Sequence, residues 1–228
     1  SLIDLKSANA WIMASIPQGQ PSLFPEASLN DDIKTGLNRA QFNWYHIDPL
    51  FYGQQNTSIK PGNIPESTYS NNFMRQVLET ELFPSKTPAN GQPVVVSVLD
   101  LAFYPTERGP YNYDVNPVGG ISTGMLANGR LKNPETRWGG IMRRLETNDF
   151  QAANIEYVQF WMMDPFNEDY NSDTYPDMPP KTALSYPSGE MYINLGNISE
   201  DIVKDGKMCY ENGLPGQPGG ASATLPTI

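Results

Sequence analysis

The stretch NDFQAANIEYVQFWMMDPFNE, residues Asn148–Glu168, decides the predicted fold, because its centre, Asn154–Met163, is the longest run of strand-forming residues in the chain. Successive side chains of a strand point to opposite faces, so Tyr157 and Trp161 share one face and Phe160 lies on the other. Both faces are largely apolar, which predicts a strand in the middle of a sheet with cover on both sides. The Asp-Pro dipeptide that follows ends the strand, since proline cannot donate to a ladder.

The composition indicates one globular domain with polar loops. The 228 residues include 25 aromatic side chains (4 Trp, 12 Tyr and 9 Phe), which argues against disorder. The net charge of −10 argues against nucleic acid and anionic membrane surfaces as partners, because both require a basic patch. There is one cysteine, so no intramolecular disulfide can form. No signal-peptide pattern and no membrane-length apolar run is visible in the sequence, and from its abrupt start we expect a piece of a larger protein.

Further segments carry strand patterns, at irregular spacing and with long loops between them. They are Ala8–Ile16, Arg39–His46, Gln92–Tyr104, Arg137–Leu145 and Glu190–Leu195. In the second of these, Arg39 falls on the polar face of a half-buried strand. The third is apolar on both faces and is predicted to be a second doubly buried strand. The paired glycines of the fourth, Gly139 and Gly140, suggest a bulge or a close backbone approach.

Two short helices complete the predicted elements. Asn72–Phe83 has an apolar stripe and can be capped by Asn71 or Asn72, and Asn197–Asp205 ends at Gly206. Strands outnumber helices, which predicts a mainly β fold, specifically an antiparallel jelly-roll-like β-sandwich with helices at about 72–83 and 197–205. We expect residues 1–228 to form a single soluble domain, with a loosely ordered tail at 213–228.

The residue types that catalysis and metal binding require are scarce. His46 is the only histidine, and a hydrogen-bonded role at a strand end is favoured over catalysis. Cys209 is more readily a packing residue than a nucleophile, and one His with one Cys nearly excludes a zinc site. The acidic loop at 167–177 leaves calcium open, although a solvated loop is favoured. No phosphate-cradling or dinucleotide pattern is present, so we predict no cofactor and no metal.

Carbohydrate chemistry gives two further hypotheses. A glycoside hydrolase needs two carboxylates facing each other across a cleft, and the candidates are Asp100, Glu107, Glu156 and Asp164. A carbohydrate-binding module needs exposed aromatic side chains, for which Tyr104, Tyr111, Tyr113, Trp138 and Trp161 are the available supply, and Tyr111 and Tyr113, in a turn, are the better candidates. Trp161, on the central strand, is expected to be buried instead.

Four long segments of the chain resemble one protein family. They read FPEASLNDDIKTGLNRAQFNWYHIDP, LDLAFYPTERGPYNYD, NPETRWGGIMRRLETNDFQAANIEYVQFWMMDPF and GEMYINLGNISEDIVKDGKMCYENGLP. From about Pro17 to Pro215 the chain resembles the SprA/Sov family, the very large outer-membrane translocon proteins of the type IX secretion system. That family is associated with gliding motility and cell-surface export in the Bacteroidetes.

The resemblance implies a part of a giant β-barrel protein that exports folded cargo, and it implies no catalytic residue. A barrel wall alternates lipid-facing and lumen-facing residues, whereas the strongest strands here are apolar on both faces, which favours a soluble domain outside the bilayer. We therefore expect a non-enzymatic structural or gating domain that is monomeric when isolated. Its expected partners are other parts of the translocon and exported cargo, on the extracellular or the periplasmic side of the outer membrane.

Two loop motifs within the resembling segments hold the candidate interaction residues. Arg108, Tyr111 and Tyr113 lie in YPTERGPYNYD, and Arg137 and Trp138 lie in NPETRWGG. We expect both arginines to pair with nearby carboxylates and so to fix the geometry of the loops. The carboxylates in range along the chain are Glu107, Asp114 and Glu135.

Overall fold

A computed structural model describes residues 5–29, 33–48, 51, 71–147, 149–167 and 189–204. The fold of this part of the chain is mainly β, and its regular elements are mostly short strands. They are β1 (Ile12–Met13), β2 (Ala40–Tyr45), β3 (Val77–Leu78), β4 (Val95–Val96), β5 (Asp100–Arg108) and β6 (Ile141–Met142). One short α-helix, α1 (Glu79–Leu82), and single 3₁₀ turns at Ala8–Ala10, Pro25–Ser28, Ile33–Gly36 and Pro134–Thr136 complete the described elements.

The strands associate in pairs. β1 pairs with β6 and β3 with β4, both antiparallel, and β2 pairs with β5. The chain divides into two compact units. The first contains residues 1–11, 43–102 and 143–191, and the second contains residues 12–42, 103–142 and 192–228. Among the described residues, no helix has both the length and the apolar composition that a membrane crossing needs.

In the second unit, the core forms around the 3₁₀ turn at Pro25–Ser28. Ile16, Phe24 and Ala27 are buried there, and Trp138 packs against them. The rings of Phe24 and Trp138 meet edge to face, with centroids 5.5 Å apart, which is a favoured aromatic geometry. The predicted close approach at the paired glycines is also present, since a methyl group on Gly139 would lie 2.7 Å from Phe42 Cβ. Glycine is needed at position 139 for this packing.

In the first unit, α1 begins where a carboxylate folds back onto the preceding backbone. Glu81 accepts a hydrogen bond from the Leu78 N–H at 3.0 Å and forms a salt bridge with Arg75 at 2.9 Å. The hydrogen bonds from Arg75 and Leu78 lower the pKa of the Glu81 carboxyl. Pro84 follows the helix and prevents its continuation, as the sequence predicts.

The predicted helix at 72–83 is wrong in length, because only Glu79–Leu82 is α-helical. Asn71 forms the predicted capping hydrogen bonds, but they close a turn and do not begin a helix. Asn71 Oδ1 accepts hydrogen bonds from the N–H groups of Phe73 and Met74 at 3.0 and 3.1 Å. Asparagine side chains compete in this way with helical backbone bonding. The predicted helix at 197–205 is also wrong over its described residues, 197–204, which hold bends but no helix.

The strand predicted at Asn154–Met163 is wrong as well. Residues 155–163 have no regular secondary structure, and Trp161, which we expected to be buried, is 68% exposed. Glu190–Leu195 likewise forms no strand, and only Ile12–Met13 of Ala8–Ile16 and Ile141–Met142 of Arg137–Leu145 form strands, with an isolated bridge between Arg39 and Trp138. Periodicity identifies segments that suit a strand, but pairing also needs a neighbouring strand in register.

The second predicted doubly buried strand, Gln92–Tyr104, is replaced by β4 and the longer β5. Neither of these strands is buried on both faces, because Val95 in β4 and Leu101 in β5 are about half exposed. The strand at Arg39–His46 is confirmed as β2, Ala40–Tyr45, although its burial does not alternate as we predicted. The predicted tail at 213–228 lies outside the described residues.

Candidate functional site: a buried arginine–carboxylate cluster

Arg137 is the centre of a buried polar cluster in the second unit. Its guanidinium pairs with Asp114 at 2.8 Å, and both side chains are fully buried. Backbone carbonyls take most of the remaining donors, at 2.9 Å for Lys132 and Leu37 and 3.1 Å for Gly124. Arginine presents five N–H donors in a rigid fork, so this one side chain ties three stretches of backbone together.

Asp114 is held on both carboxylate oxygens. One oxygen accepts from Arg137, and the other accepts from the Ser122 hydroxyl at 2.8 Å. The Asp114 N–H donates in turn to Asn112 Oδ1 at 2.8 Å, and Asn112 Nδ2 donates to the Arg39 carbonyl at 2.6 Å. The expected pairing of Arg137 with a nearby acid is therefore confirmed, with Asp114 as its partner.

Asn38 connects this pair to a second buried carboxylate, that of Glu26. The Asn38 side chain accepts from Arg137 at 3.1 Å and donates to Glu26 Oε2 at 2.7 Å. The other carboxylate oxygen of Glu26 accepts the indole N–H of Trp138 at 2.8 Å. Burial raises the pKa of the Glu26 carboxyl, while its hydrogen bonds and the charge of Arg39 oppose that rise.

Arg39 is the second buried arginine of the cluster. Its guanidinium lies over the Trp138 ring, 4.6 Å from the centroid, and donates to the Ala14 and Ile202 carbonyls. Its Nε is buried without a hydrogen-bond partner. Burial lowers the pKa of Arg39 to about 10, against the opposing effect of Glu26. The sequence placed Arg39 on the polar face of a strand, which is wrong, because its exposed fraction is only 2%.

The other candidate residues are more accessible than Arg137. Arg108 is exposed at the end of β5, Tyr113 is 38% exposed, and Tyr111 and Trp138 are half-buried. Tyr111 adopts a left-handed backbone conformation, with φ of 60°, which marks a tight turn in this motif. The structure thus brings Arg137 and Trp138 into one cluster and leaves Arg108 and Tyr113 at the surface.

His46 has the structural role that the sequence favours. In the first unit, its Nε2 accepts the Ala8 N–H at 3.2 Å, and its Nδ1 lies 2.6 Å from the Val98 carbonyl. A neutral ring with the proton on Nδ1 satisfies both contacts. Asp100, one of the carboxylates considered for glycoside hydrolysis, accepts the Ile47 N–H, and burial raises its pKa.

Within the described ranges, no group of His, Cys, Asp and Glu side chains could hold a metal ion. Cys209 and residues 168–177 of the candidate calcium loop lie outside those ranges.

Sequence reasoning missed Glu26, Asn38 and Arg39 as members of the cluster. Glu26 follows a proline in a loop, and an isolated acid in such a position usually lies in solvent. The one available signal was the excess of polar residues beside Trp138, a side chain that needs both apolar cover and a hydrogen-bond acceptor.

No protein-family model and no curated protein sequence matches the chain.

Proposed function

We propose that this chain is a non-enzymatic structural or gating domain of a type IX secretion translocon, located outside the bilayer on one side of the outer membrane. The basis for the family is the resemblance of residues 17–215 to the SprA/Sov proteins. The proposal includes contacts with other parts of the translocon and with exported cargo. It also includes the finer topology, in which the two-stranded sheets belong to a jelly-roll-like β-sandwich.

The observation that carries the structural role is the Arg137–Asp114 pair. The two residues come from the two loop motifs of the resembling segments, and each has no exposed side-chain surface. A fully buried pair cannot contact cargo directly. Such an ion pair can hold the two loops in one conformation, because removal of either partner leaves a buried charge without its counter-charge. The distinctive residues of these motifs therefore serve loop geometry.

The same geometry gives the buried carboxylates no catalytic task. Glu26 and Asp114 each accept hydrogen bonds from two protein side chains, and their exposed fractions are both zero. A general acid or a nucleophile must reach the reacting atom of its substrate. Neither carboxylate meets this condition in the described structure.

The proposal is tested in the full-length parent protein by replacing the segment that corresponds to residues 17–215 with a flexible linker. We expect the parent to reach the outer membrane while cargo accumulates in the periplasm and surface gliding stops. Fractionation followed by immunoblotting of one cargo protein measures this accumulation. Cargo export at the normal rate would contradict the proposed role, and a Gly119→Ala parent serves as the point-variant control for expression, because nothing lies within 4 Å of the added methyl group.

A second candidate function is carbohydrate binding, and the exposure of aromatic side chains favours it. Tyr113 in the second unit is 38% exposed, and Trp161 in the first unit is 68% exposed. Exposed aromatic faces stack on sugars, but Trp138, whose N–H is bound to Glu26, is not free to rearrange. Equilibrium dialysis of the chain and its Tyr113→Ala variant against defined oligosaccharides decides this. Micromolar binding that the variant loses would replace the structural proposal.

A further inference from the structure

The segment Glu156–Met163 in the first unit exposes apolar side chains in both sets of alternating positions. Tyr157 is 75% exposed and Trp161 is 68% exposed, and Met162, from the other set, is 63% exposed. Val158, Phe160 and Met163 are each about half exposed. Trp161 has one aromatic neighbour, Phe83, with the ring centroids 6.3 Å apart. Single exposed apolar residues are ordinary, but a continuous run of this kind marks an interaction site.

The backbone of the same segment has no hydrogen-bond partner among the described residues. Hydrogen bonds from Asn154 N to Gln151 O and from Ile155 N to Phe150 O close the turn before it. After it, Asp164 Oδ1 accepts the Phe166 N–H. Between these turns, the backbone N–H groups of residues 156–163 donate to no described residue. Eight consecutive residues therefore offer backbone donors and acceptors as well as apolar side chains.

An added β-strand satisfies both needs at once. A helix or a small apolar ligand would cover side chains but would leave the backbone groups without partners. Strand addition pairs the backbone and places alternate side chains of the partner beside those of the segment. The sequence independently favours this outcome, because the segment carries a strand pattern with two apolar faces and its described surroundings provide no partner strand.

Charge restricts the partner further. Residues 146–167 contain four acidic side chains and no lysine or arginine. These acids are Glu146, Asp149, Glu156 and Asp164. A partner with basic residues is attracted to this stretch, whereas a second copy of the chain brings the same acids and is repelled.

We propose that Glu156–Met163 is a docking strand for an extended segment of a separate polypeptide, one that alternates apolar residues and carries Lys or Arg beside them. The docking-strand proposal is argued from the exposed residues and charges of the first unit and does not depend on the secretion proposal. A result that contradicts one of the two proposals does not contradict the other.

The test uses the 228-residue chain and an 11-residue probe peptide of alternating Val and Thr with Lys at both ends and in the middle. Isothermal titration calorimetry measures its dissociation constant. We expect binding that weakens at least about tenfold when Glu replaces each Lys of the probe, because like charges then face each other. Val158→Pro in the chain is expected to weaken binding by about tenfold or more, since proline removes a donor and blocks pairing.

The matched control is Ala127→Pro, which places proline at an exposed turn position where no described hydrogen bond is lost. This control should bind the probe as the unmodified chain does. A second measurement, hydrogen exchange of the unmodified chain, does not depend on the folding of any variant. The amides of residues 156–163 should become protected when the Lys probe is added.

Three results would overturn the proposal. They are equal binding of the Lys and Glu probes, no protection of residues 156–163 by the Lys probe, and equal binding by the Val158→Pro and Ala127→Pro chains. Sedimentation adds one further check. A dimer that Val158→Pro dissociates would assign the docking strand to a second copy of the chain, contrary to the proposal.

Discussion

Two regions of this protein reverse the usual distribution of residue types. The Arg137 cluster in the second unit buries charged and amide side chains almost completely, whereas Glu156–Met163 in the first unit exposes an apolar run. In the buried region nearly every polar group has a partner, which offsets the cost of removing that group from water. The backbone N–H groups of Glu156–Met163 have no such partners among the described residues. The availability of partners, and not hydrophobicity alone, therefore determines which segments are buried.

The largest expected effect comes from breaking the buried pair. Asp114→Ala leaves the Arg137 charge buried without its carboxylate, so we expect a loss of about 3–5 kcal/mol in the free energy of unfolding. Urea denaturation measures this loss. Glu135→Ala, which removes an exposed acid two residues from Arg137, is the control and should change stability by less than about 0.5 kcal/mol. Equal free energies of unfolding for the two variants would show that the buried Arg137–Asp114 pair does not stabilise the second unit.

The second effect tests the tight packing beside the cluster. Gly109→Ala would place a methyl group against the backbone carbonyl of Ala40, which cannot move without disturbing β2. Overpacking of this kind costs about 1–3 kcal/mol or more. Gly119→Ala is the matched control, because nothing lies within 4 Å of the added methyl. Gly109→Ala should have a lower thermal unfolding midpoint than Gly119→Ala. Identical midpoints would show that the Ala40 carbonyl can move at little cost.

The third effect concerns the pH dependence that Glu26 contributes. Burial raises its folded pKa above the ordinary value of 4.5, so its contribution to stability is full below that value and is lost as pH rises through the folded pKa. Glu26→Gln removes this dependence. It also places an amide N–H₂ against the donors of Asn38 and Trp138, which costs about 1–3 kcal/mol.

Urea titrations of both proteins at several pH values between 4.5 and 8 check this prediction. The stability advantage of the unmodified chain over Glu26→Gln should be largest at the acid end and should shrink as pH rises. An advantage that grows with pH would reverse the sign that we assign to Glu26.

The smallest effect is expected in the exposed region. Tyr157→Ser removes a side chain that is 75% exposed, so the free energy of unfolding should change by less than about 0.5 kcal/mol. Differential scanning calorimetry of this variant beside Phe24→Ser, which empties a buried position, gives the contrast. A loss above about 2 kcal/mol in Tyr157→Ser would mean that the segment is packed, because only buried side chains carry such values.

Parts of the structure follow from local sequence patterns. The strand at 40–45 and the end of α1 before Pro84 depend on short-range chemistry. The residue types at Gly139 and Arg137 indicate a close approach and an ion pair, although their partners Phe42 and Asp114 lie farther away along the chain. The cluster as a whole was not predictable. Asn38 and Glu26 are 12 residues apart, and Trp138 reaches Glu26 across 112 positions in the chain. No local pattern marks residues that meet over such distances.

The sequence by itself determined the mainly β composition, the turns at proline and glycine, and the residues that suit each kind of element. The tertiary structure decided which segments are paired and which polar groups are buried. Asn154–Met163 has every local property of a central strand but remains unpaired among the described residues, while Arg39, on a predicted polar face, is buried against the Trp138 ring. The physical reason is that strand pairing and the burial of charge both depend on partners distant in the chain, which periodicity along one segment cannot specify.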